Sequence, residues 1–216
     1  AAEQGLLAME AMWTRYLPHM VRIREILAAG TLGDIRAVFA DHTQKISSDP
    51  GHRLNALGLG GGALLDLGIY PISFAWDVLG EPATVTAVAT LGETGADTEV
   101  ATIMTYASGA LSTSLSASRS AGPNTAHIVG TEARIDIDRV WYNAVSFRVV
   151  AHDGTVLESY DSDVQGRGMQ YQAIAAEDYV AAGLTDSEAL PIAESIAIMH
   201  ALDEVRGIIG LRYPGE

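Results

Sequence analysis

The chain has 216 residues, of which 48% are hydrophobic, and 27 acidic against 13 basic side chains give it a formal net charge of -14. A chain of this length and hydrophobic content can bury a large core, so the composition predicts a folded globular protein. Its negative charge repels phosphate backbones and anionic lipids, which excludes nucleic acid and the membrane surface as expected partners.

The first twelve residues differ in pattern from the rest. Residues 1–4 resemble the end of a helix that Gly5 stops, and the apolar run 6–12 suits a buried strand. We therefore interpret residues 1–12 as the remnant of the last α/β unit of a nucleotide-binding domain, and residues 13–216 as a second domain. The opening residues carry neither an initiator methionine nor a basic signal segment, so we expect the chain to be part of a longer protein.

The next elements are a helix, a strand and a long loop. Pro18 can begin a helix over residues 19–29, and Gly30 can end it. A strand is predicted over 35–46. The polar, glycine-rich stretch 47–62 follows as a loop, and loops of this length often carry function.

Residues 63–79 predict an unusually apolar helix, which Pro71 should kink. The surrounding stretch 57–80 has the length of a membrane span, but it contains two aspartates and six glycines. Charged groups in lipid are costly, so we interpret this stretch as a helix buried in protein.

Residues 83–160 alternate with period two between turn signals, which predicts six or seven antiparallel strands. Helices are predicted over 169–182 and 192–209, so the layout is α+β. The last helix is expected to bury one apolar stripe, formed by Ile192, Ile196, Met199, Leu202, Val205 and Ile209.

One predicted strand, residues 110–118, has two contrasting faces. The first face carries four serines, Ser112, Ser114, Ser116 and Ser118. The second carries Leu111, Thr113, Leu115 and Ala117. We expect the second face to pack against helices, and the serine face either to meet a second copy of the chain or to face water.

Asp66 and Tyr70 are the most distinctive polar residues, because they lie four positions apart on the apolar helix and therefore share a face. A carboxylate beside a phenol can bind a substrate hydroxyl and exchange its proton, as carbinol oxidation requires. A structural interpretation is equally ordinary. Asp66 would then stabilise the helix dipole, and Tyr70 would be a core aromatic.

Three further residues could contact a substrate. Trp13 and Arg15 follow the presumed first strand and suit stacking and hydroxyl recognition, although a core tryptophan and a surface arginine are the plain alternatives. Arg53, in the loop before the glycines, is a weaker possibility that could equally be a solvated side chain.

Other chemistries are disfavoured. The chain has no cysteine, and its six histidines fall in separate elements, so we predict no metal site and no disulfide, which suits the cytoplasm. The three glycines 60–62 lack the spacing and the preceding strand of a dinucleotide fingerprint. A Gly-x-Ser-x-Gly elbow is also absent, which makes a hydrolase a poor interpretation.

Four segments in order resemble one family, namely residues 10–18 (EAMWTRYLP), 30–36 (GTLGDIR), 60–71 (GGGALLDLGIYP) and 212–216 (RYPGE). The chain is identified by them as a member of the glucose-fructose oxidoreductase, inositol dehydrogenase and MocA family. Tyr70, in place of the commoner histidine, is similar to the branch of dihydrodiol and NADP-dependent D-xylose dehydrogenases. The resemblance implies an N-terminal Rossmann domain, not present here, and a large, mostly antiparallel sheet with helices on one face.

The resemblance also implies roles for the residues. Tyr70 would accept the proton and Asp66 would orient the substrate hydroxyl, while Trp13 and Arg15 would border the nicotinamide and the substrate. The full protein would pass hydride from a sugar, polyol or diol to NADP or NAD, and would form dimers through the uncovered sheet face.

The sequence departs from the family in one respect. Its only lysine, Lys45, is not in the Glu-Lys-Pro context of the family's catalytic lysine. We therefore expect this chain alone to bind no cofactor, to be inactive, and to expose apolar surface near residues 6–12 and the final helix. The alternative is a non-catalytic scaffold or a carbohydrate-binding regulatory module of the same fold.

Overall fold

The computed structural model describes residues 1–216. It contains four α-helices, α1 (Pro18–Ala28), α2 (Ile69–Leu79), α3 (Gln170–Ala181) and α4 (Ile192–Ile209). Its strands are β1 (Ile35–Thr43), β2 (Thr84–Leu91), β3 (Asp97–Thr105), β4 (Leu111–Ala117), β5 (Ala126–Gly130), β6 (Ala133–Ile137), β7 (Phe147–Ala151) and β8 (Val156–Tyr160).

All eight strands form one sheet in the order β2-β3-β4-β1-β5-β6-β7-β8. Only β1 and β4 pair in parallel, and the other six neighbouring pairs are antiparallel. The predicted α+β class, with a large and mostly antiparallel sheet, is confirmed. Seven strands lie between residues 83 and 160, as the alternating pattern predicted.

The prediction of a strand over Leu6–Met12 is wrong. This segment runs without regular structure, and its only backbone hydrogen bond to a distant part of the chain joins Ala8 N to the carbonyl of Thr185, 3.1 Å away. An apolar run becomes a strand only where a neighbouring strand offers a hydrogen-bonding ladder, and none lies beside it. Leu6 is 60% exposed, whereas Met12 reaches the core.

The first helix forms where the sequence predicted it. Pro18 occupies its first turn, where a missing N–H leaves no hydrogen bond unmade. Gly30, just beyond its end, has a φ of 71°, a left-handed conformation that glycine adopts without strain. Met20, Ile23 and Ile26 are buried, so the helix packs one side into the core.

The helices pack on one face of the sheet, but β4 turns the other side toward them than was predicted. Ser112 and Ser116 are buried, whereas Leu111 and Leu115 are 47% and 45% exposed on the open face. The reason is that the helical layer lies very close to β4. A Cβ added to Gly68 of that layer would lie 3.3 Å from the Ser116 hydroxyl. Only small side chains fit between that helix and the strand.

The apolar stretch Leu57–Leu79 is long enough to cross a membrane by length and composition alone. More than half of its most apolar window, 56%, is buried within the protein. It therefore serves as the core helix of this fold, which agrees with the interpretation from sequence.

The last helix buries a different stripe from the predicted one. Ile198, Ala201, Leu202 and Val205 are buried in α4. Ile196 and Met199, which were predicted to be buried with Leu202 and Val205, are 52% and 46% exposed. Helical periodicity identified an apolar helix, but α4 is apolar on more than one side. Met199 borders the same cavity as Ala11 and Met12, in the region where uncovered apolar surface was expected.

Candidate functional site

Asp66 and Tyr70 lie on one helix, which is irregular around Asp66. Residues Leu64–Gly68 form a π-helical turn, which continues directly into α2. Pro71 has no N–H to donate to the carbonyl of Leu67 four residues earlier, and a wider turn accommodates its ring. The kink that Pro71 predicted therefore takes the form of a π turn that carries Asp66.

Tyr70 is held by an aromatic cluster. The indole N–H of Trp13 donates to the Tyr70 hydroxyl at 3.1 Å. The imidazole of His42 meets the Tyr70 ring edge to face at 4.9 Å, and Tyr142 stacks on His42 at 3.8 Å. These contacts fix the phenol ring, and Trp13 is the only side chain that hydrogen-bonds to its oxygen.

His42 is neutral in this cluster. Its Nε2 accepts from the side-chain amide of Gln44 at 2.8 Å, so its Nδ1 carries the proton and donates to the carbonyl of Leu67 at 3.1 Å. Burial lowers the pKa of His42 to about 4. The ring therefore orients the π turn and Tyr70 as a neutral group at physiological pH.

Asp66 pairs with Arg53 across the mouth of the site. The Arg53 Nη1 donates to Asp66 Oδ1 at 2.6 Å, and the Arg53 side chain is 64% exposed. Such an exposed pair contributes little to stability. A carboxylate oxygen and guanidinium N–H groups beside one another nevertheless provide an acceptor and donors for a polar ligand.

The π turn and α2 together, residues 64–79, are called the site helix. A cavity of about 320 Å³ lies beside the two site residues, between the segment 10–12, the site helix and α4. Asp66 and Tyr70 border it, and most of the remaining wall is apolar. The lining residues are Glu10, Ala11, Met12, Leu65, Asp66, Ile69, Tyr70, Ser73, Leu190, Ser195, Ile198 and Met199. An apolar cleft with a few convergent polar groups is the usual form of a small-molecule site.

Arg15 lies behind the cavity wall and does not line it. Its guanidinium is almost fully buried and pairs with Asp77 at 3.2 Å and Glu194 at 2.7 Å. It also donates to the Ser73 hydroxyl, the Ser73 carbonyl and the carbonyl of Ala189. With its donors bound to protein, Arg15 has none directed at a ligand.

The structure thus brings together four of the five residues that the sequence selected, Trp13, Arg53, Asp66 and Tyr70. Sequence reasoning missed His42, Gln44 and Tyr142. His42 and Tyr142 pack against the Tyr70 ring, and Gln44 hydrogen-bonds to His42. The sequence did offer a signal for His42 and Gln44, which are polar residues at the end of the predicted strand β1. Residues at strand ends often enter a site. Tyr142 comes from a connection between strands, and no local pattern marked it.

The fold of this chain is similar to that of solved oxidoreductases. A 3-ketoreductase from Actinomadura kijaniata, solved with NADP and TDP-benzene, has the same fold with a TM-score of 0.81 and 23% identity over 97% of this chain and 64% of its own. An aldose-aldose oxidoreductase from Caulobacter crescentus matches with a TM-score of 0.76 and 21% identity, over 91% of this chain and 59% of its own.

The model of the GFO/IDH/MocA C-terminal domain matches residues 20–136, and the chain belongs to this family. Mouse (Mus musculus) trans-1,2-dihydrobenzene-1,2-diol dehydrogenase is 33% identical over 99% of this chain and 65% of its own length. The D-xylose 1-dehydrogenase (NADP(+)) of Hypocrea jecorina is 30% identical over 99% of this chain and 62% of its own. The chain thus spans 62–65% of the length of these curated relatives, and the predicted family branch is confirmed.

Proposed function

We propose that this chain is the substrate-binding domain of an NADP- or NAD-dependent dehydrogenase that oxidises a CH–OH group of a sugar, polyol or diol. The observation that carries the proposal is the Asp66 and Tyr70 pair, which borders an apolar cavity with the Tyr70 oxygen bound to the Trp13 indole. The curated relatives, which include a diol dehydrogenase and a xylose dehydrogenase, support the substrate class.

In this proposal Tyr70, in its phenolate form, takes the proton from the substrate hydroxyl as the neighbouring carbon loses hydride to the cofactor. The Trp13 N–H donates to the Tyr70 oxygen and stabilises the phenolate before it accepts the proton. Asp66 binds and orients a hydroxyl through the oxygen that Arg53 does not occupy, and the exposed Arg53 donates to an adjacent hydroxyl. Arg15 acts indirectly, by fixing the Ser73 end of the cavity wall.

The residues present suit one part of a nicotinamide cofactor. Apolar cavity walls such as Met12, Leu65 and Ile69 suit the nicotinamide ring, which when bound would supply the hydride acceptor. No cradle for the dinucleotide phosphates is evident, because the glycine turn at 60–62 abuts the buried carboxylate of Asp97. We therefore propose that a separate nucleotide-binding domain, to which residues 1–12 connect, binds the phosphates and covers the cavity.

The proposal predicts that the protein expressed from its complete coding sequence reduces NADP or NAD with a sugar, polyol or diol. The 216-residue chain alone is expected to show no activity above background, because the phosphates of the cofactor have no binding site on it. The measurement is the absorbance change of cofactor reduction across a panel of aldoses and vicinal diols. A complete coding sequence without a Gly-rich βαβ unit, together with inactivity on the panel, would favour the non-catalytic scaffold.

We also propose that two copies pair through the open face of the sheet. This face exposes large apolar side chains from four neighbouring strands, namely Phe39, Val88, Ile103, Leu111 and Leu115. Monomers rarely expose a contiguous apolar patch of this kind. A C2 dimer would bring the same strands of both copies together and bury more than about 1,000 Å².

Introducing a charge at the centre of this face is expected to produce a monomer. Ile103→Glu places a carboxylate in the proposed interface, where it would be buried without a partner. Sedimentation velocity of the wild type and the variant at the same concentration measures the effect. Ile174→Glu on α3 is the matched control, because Ile174 is 48% exposed against 51% for Ile103. A wild type that is monomeric at tens of micromolar, a typical weak-dimer concentration, would overturn the dimer.

A further inference from the structure

The turn at residues 60–62, from which the site helix starts, is held by two residues from distant parts of the chain. Asp97, the first residue of β3, is fully buried and accepts a hydrogen bond from the Leu64 backbone N–H at 2.6 Å. The hydroxyl of Tyr213 donates to the carbonyl of Gly61 at 3.0 Å. Neither residue lines the cavity.

The turn fits these partners only because its residues are glycines. A Cβ on Gly61 would lie 2.9 Å from the backbone oxygens of Arg53 and Ala56. Gly62 has a φ of +147°, and a Cβ there would overlap the carboxylate of Asp97. The turn is thus pressed between Asp97 and the backbone of the loop that carries Arg53, the partner of Asp66.

Both partners are suited to hold the turn. The Asp97 carboxyl lies at the start of the site helix, where backbone N–H groups have no partner within the helix and favour negative charge, although burial raises the pKa of Asp97. Burial, and then the nearby Asp97 carboxylate, raise the pKa of Tyr213 to about 12, so its hydroxyl remains a donor. The Arg206 guanidinium lies 4.6 Å from the centre of the Tyr213 ring and pairs with Glu216, which fixes the segment 211–216 against α4.

We propose that Asp97 and Tyr213 are positioning residues for the site helix, holding the turn at 60–62 so that Asp66 and Tyr70 keep their places beside the cavity. This proposal rests on the proposed function of that pair. It gives a role to the RYPGE segment, and it connects the start of β3 and the C-terminal segment to one turn.

The test uses two variants and an activity-independent readout in the 216-residue chain. Tyr213→Phe removes the hydroxyl but keeps the ring under Arg206, and Asp97→Asn removes the charge with little change of shape. The Trp13 indole N–H reports on Tyr70, and its NMR signal is compared with that of Trp141, whose indole donates to Asp41 instead. Hydrogen exchange of the amides at 62–68 reports on the turn.

Both variants are expected to speed exchange at residues 62–68 about fivefold, the effect of losing roughly one net hydrogen bond. The Trp13 signal should shift while that of Trp141 stays in place. Tyr106→Phe is the matched control, because it removes one buried hydroxyl, bound to Ser112, far from the turn. In the complete protein, Tyr213→Phe should lower kcat about as much and leave KM for the cofactor unchanged.

Unchanged exchange and an unchanged Trp13 signal in both variants would overturn the proposal, whether or not the protein is active. Faster exchange with no change in the Trp13 signal or in kcat would show a purely structural contact and would also overturn it. If the complete protein oxidises no substrate, the proposed function fails. The Trp13 signal would then still decide whether Asp97 and Tyr213 position the helix.

Discussion

Replacing Tyr70 with phenylalanine is expected to lower kcat of the complete protein about 10²- to 10⁴-fold, the usual contribution of a positioned acid or base. The substitution removes one oxygen, and the ring keeps its contacts with His42 and Tyr142. KM for the substrate should change little, because the lost interaction is needed chiefly in the transition state. Initial rates over a range of substrate and cofactor concentrations measure both constants.

Two further variants separate this role from a structural one. Tyr160→Phe is the control, because Tyr160 stacks on Phe147 in the same fold and its hydroxyl makes no side-chain bond. It should leave both constants within about twofold of the wild type. Asp66→Asn should act mainly on KM, since Asp66 is proposed to bind the substrate. A Tyr70→Phe protein that retains more than about a tenth of wild-type kcat would refute the proton-acceptor role.

The functional pair could be predicted from sequence because both residues are polar on an apolar helix. Their spacing of four predicted a shared face, and both border the same cavity. Arg15 could not be interpreted in the same way. The side chains that bind Arg15 lie 58 to 179 positions away along the chain, and they belong to Ser73, Asp77 and Glu194. No local sequence pattern indicates such contacts. His42 was missed for the same reason.

The parts of the fold that depend on the local periodicity of apolar residues could be predicted from the sequence. Alternation located the strands of the sheet, and Pro18 and Gly30 marked the first helix. Alternation did not identify the inner face of β4, where buried serines replace the apolar residues that usually face a core. Ser112 is compensated by the hydroxyl of Tyr106 at 3.0 Å, a contact that depends on the fold as a whole. The exposed leucines suit the proposed second copy.

Removing the guanidinium of Arg15 is expected to destabilise the protein by about 3–5 kcal/mol, the usual cost of breaking a buried ion pair from one side. Arg15→Met keeps most of the volume but leaves Glu194 unpaired and leaves Asp77 with Arg24 as its remaining partner. In a chain of this size, such a loss corresponds to a decrease in Tm of roughly 6–20 °C. Thermal and urea unfolding of the 216-residue chain measure it.

The expected result also decides between two interpretations of Arg15. If Arg15 bound the substrate, its substitution would raise KM and leave the free energy of unfolding nearly unchanged. If Arg15 is a buried structural residue, its substitution lowers the free energy of unfolding more than it changes KM. Arg15→Lys should recover only part of the stability, because an ammonium cannot reproduce the planar set of bonds to Asp77, Glu194 and Ser73. Arg36→Met is the control, since Arg36 is 54% exposed and lies 3.7 Å from Asp34. It should cost less than about 0.5 kcal/mol. An Arg15→Met protein as stable as this control would contradict the structural role.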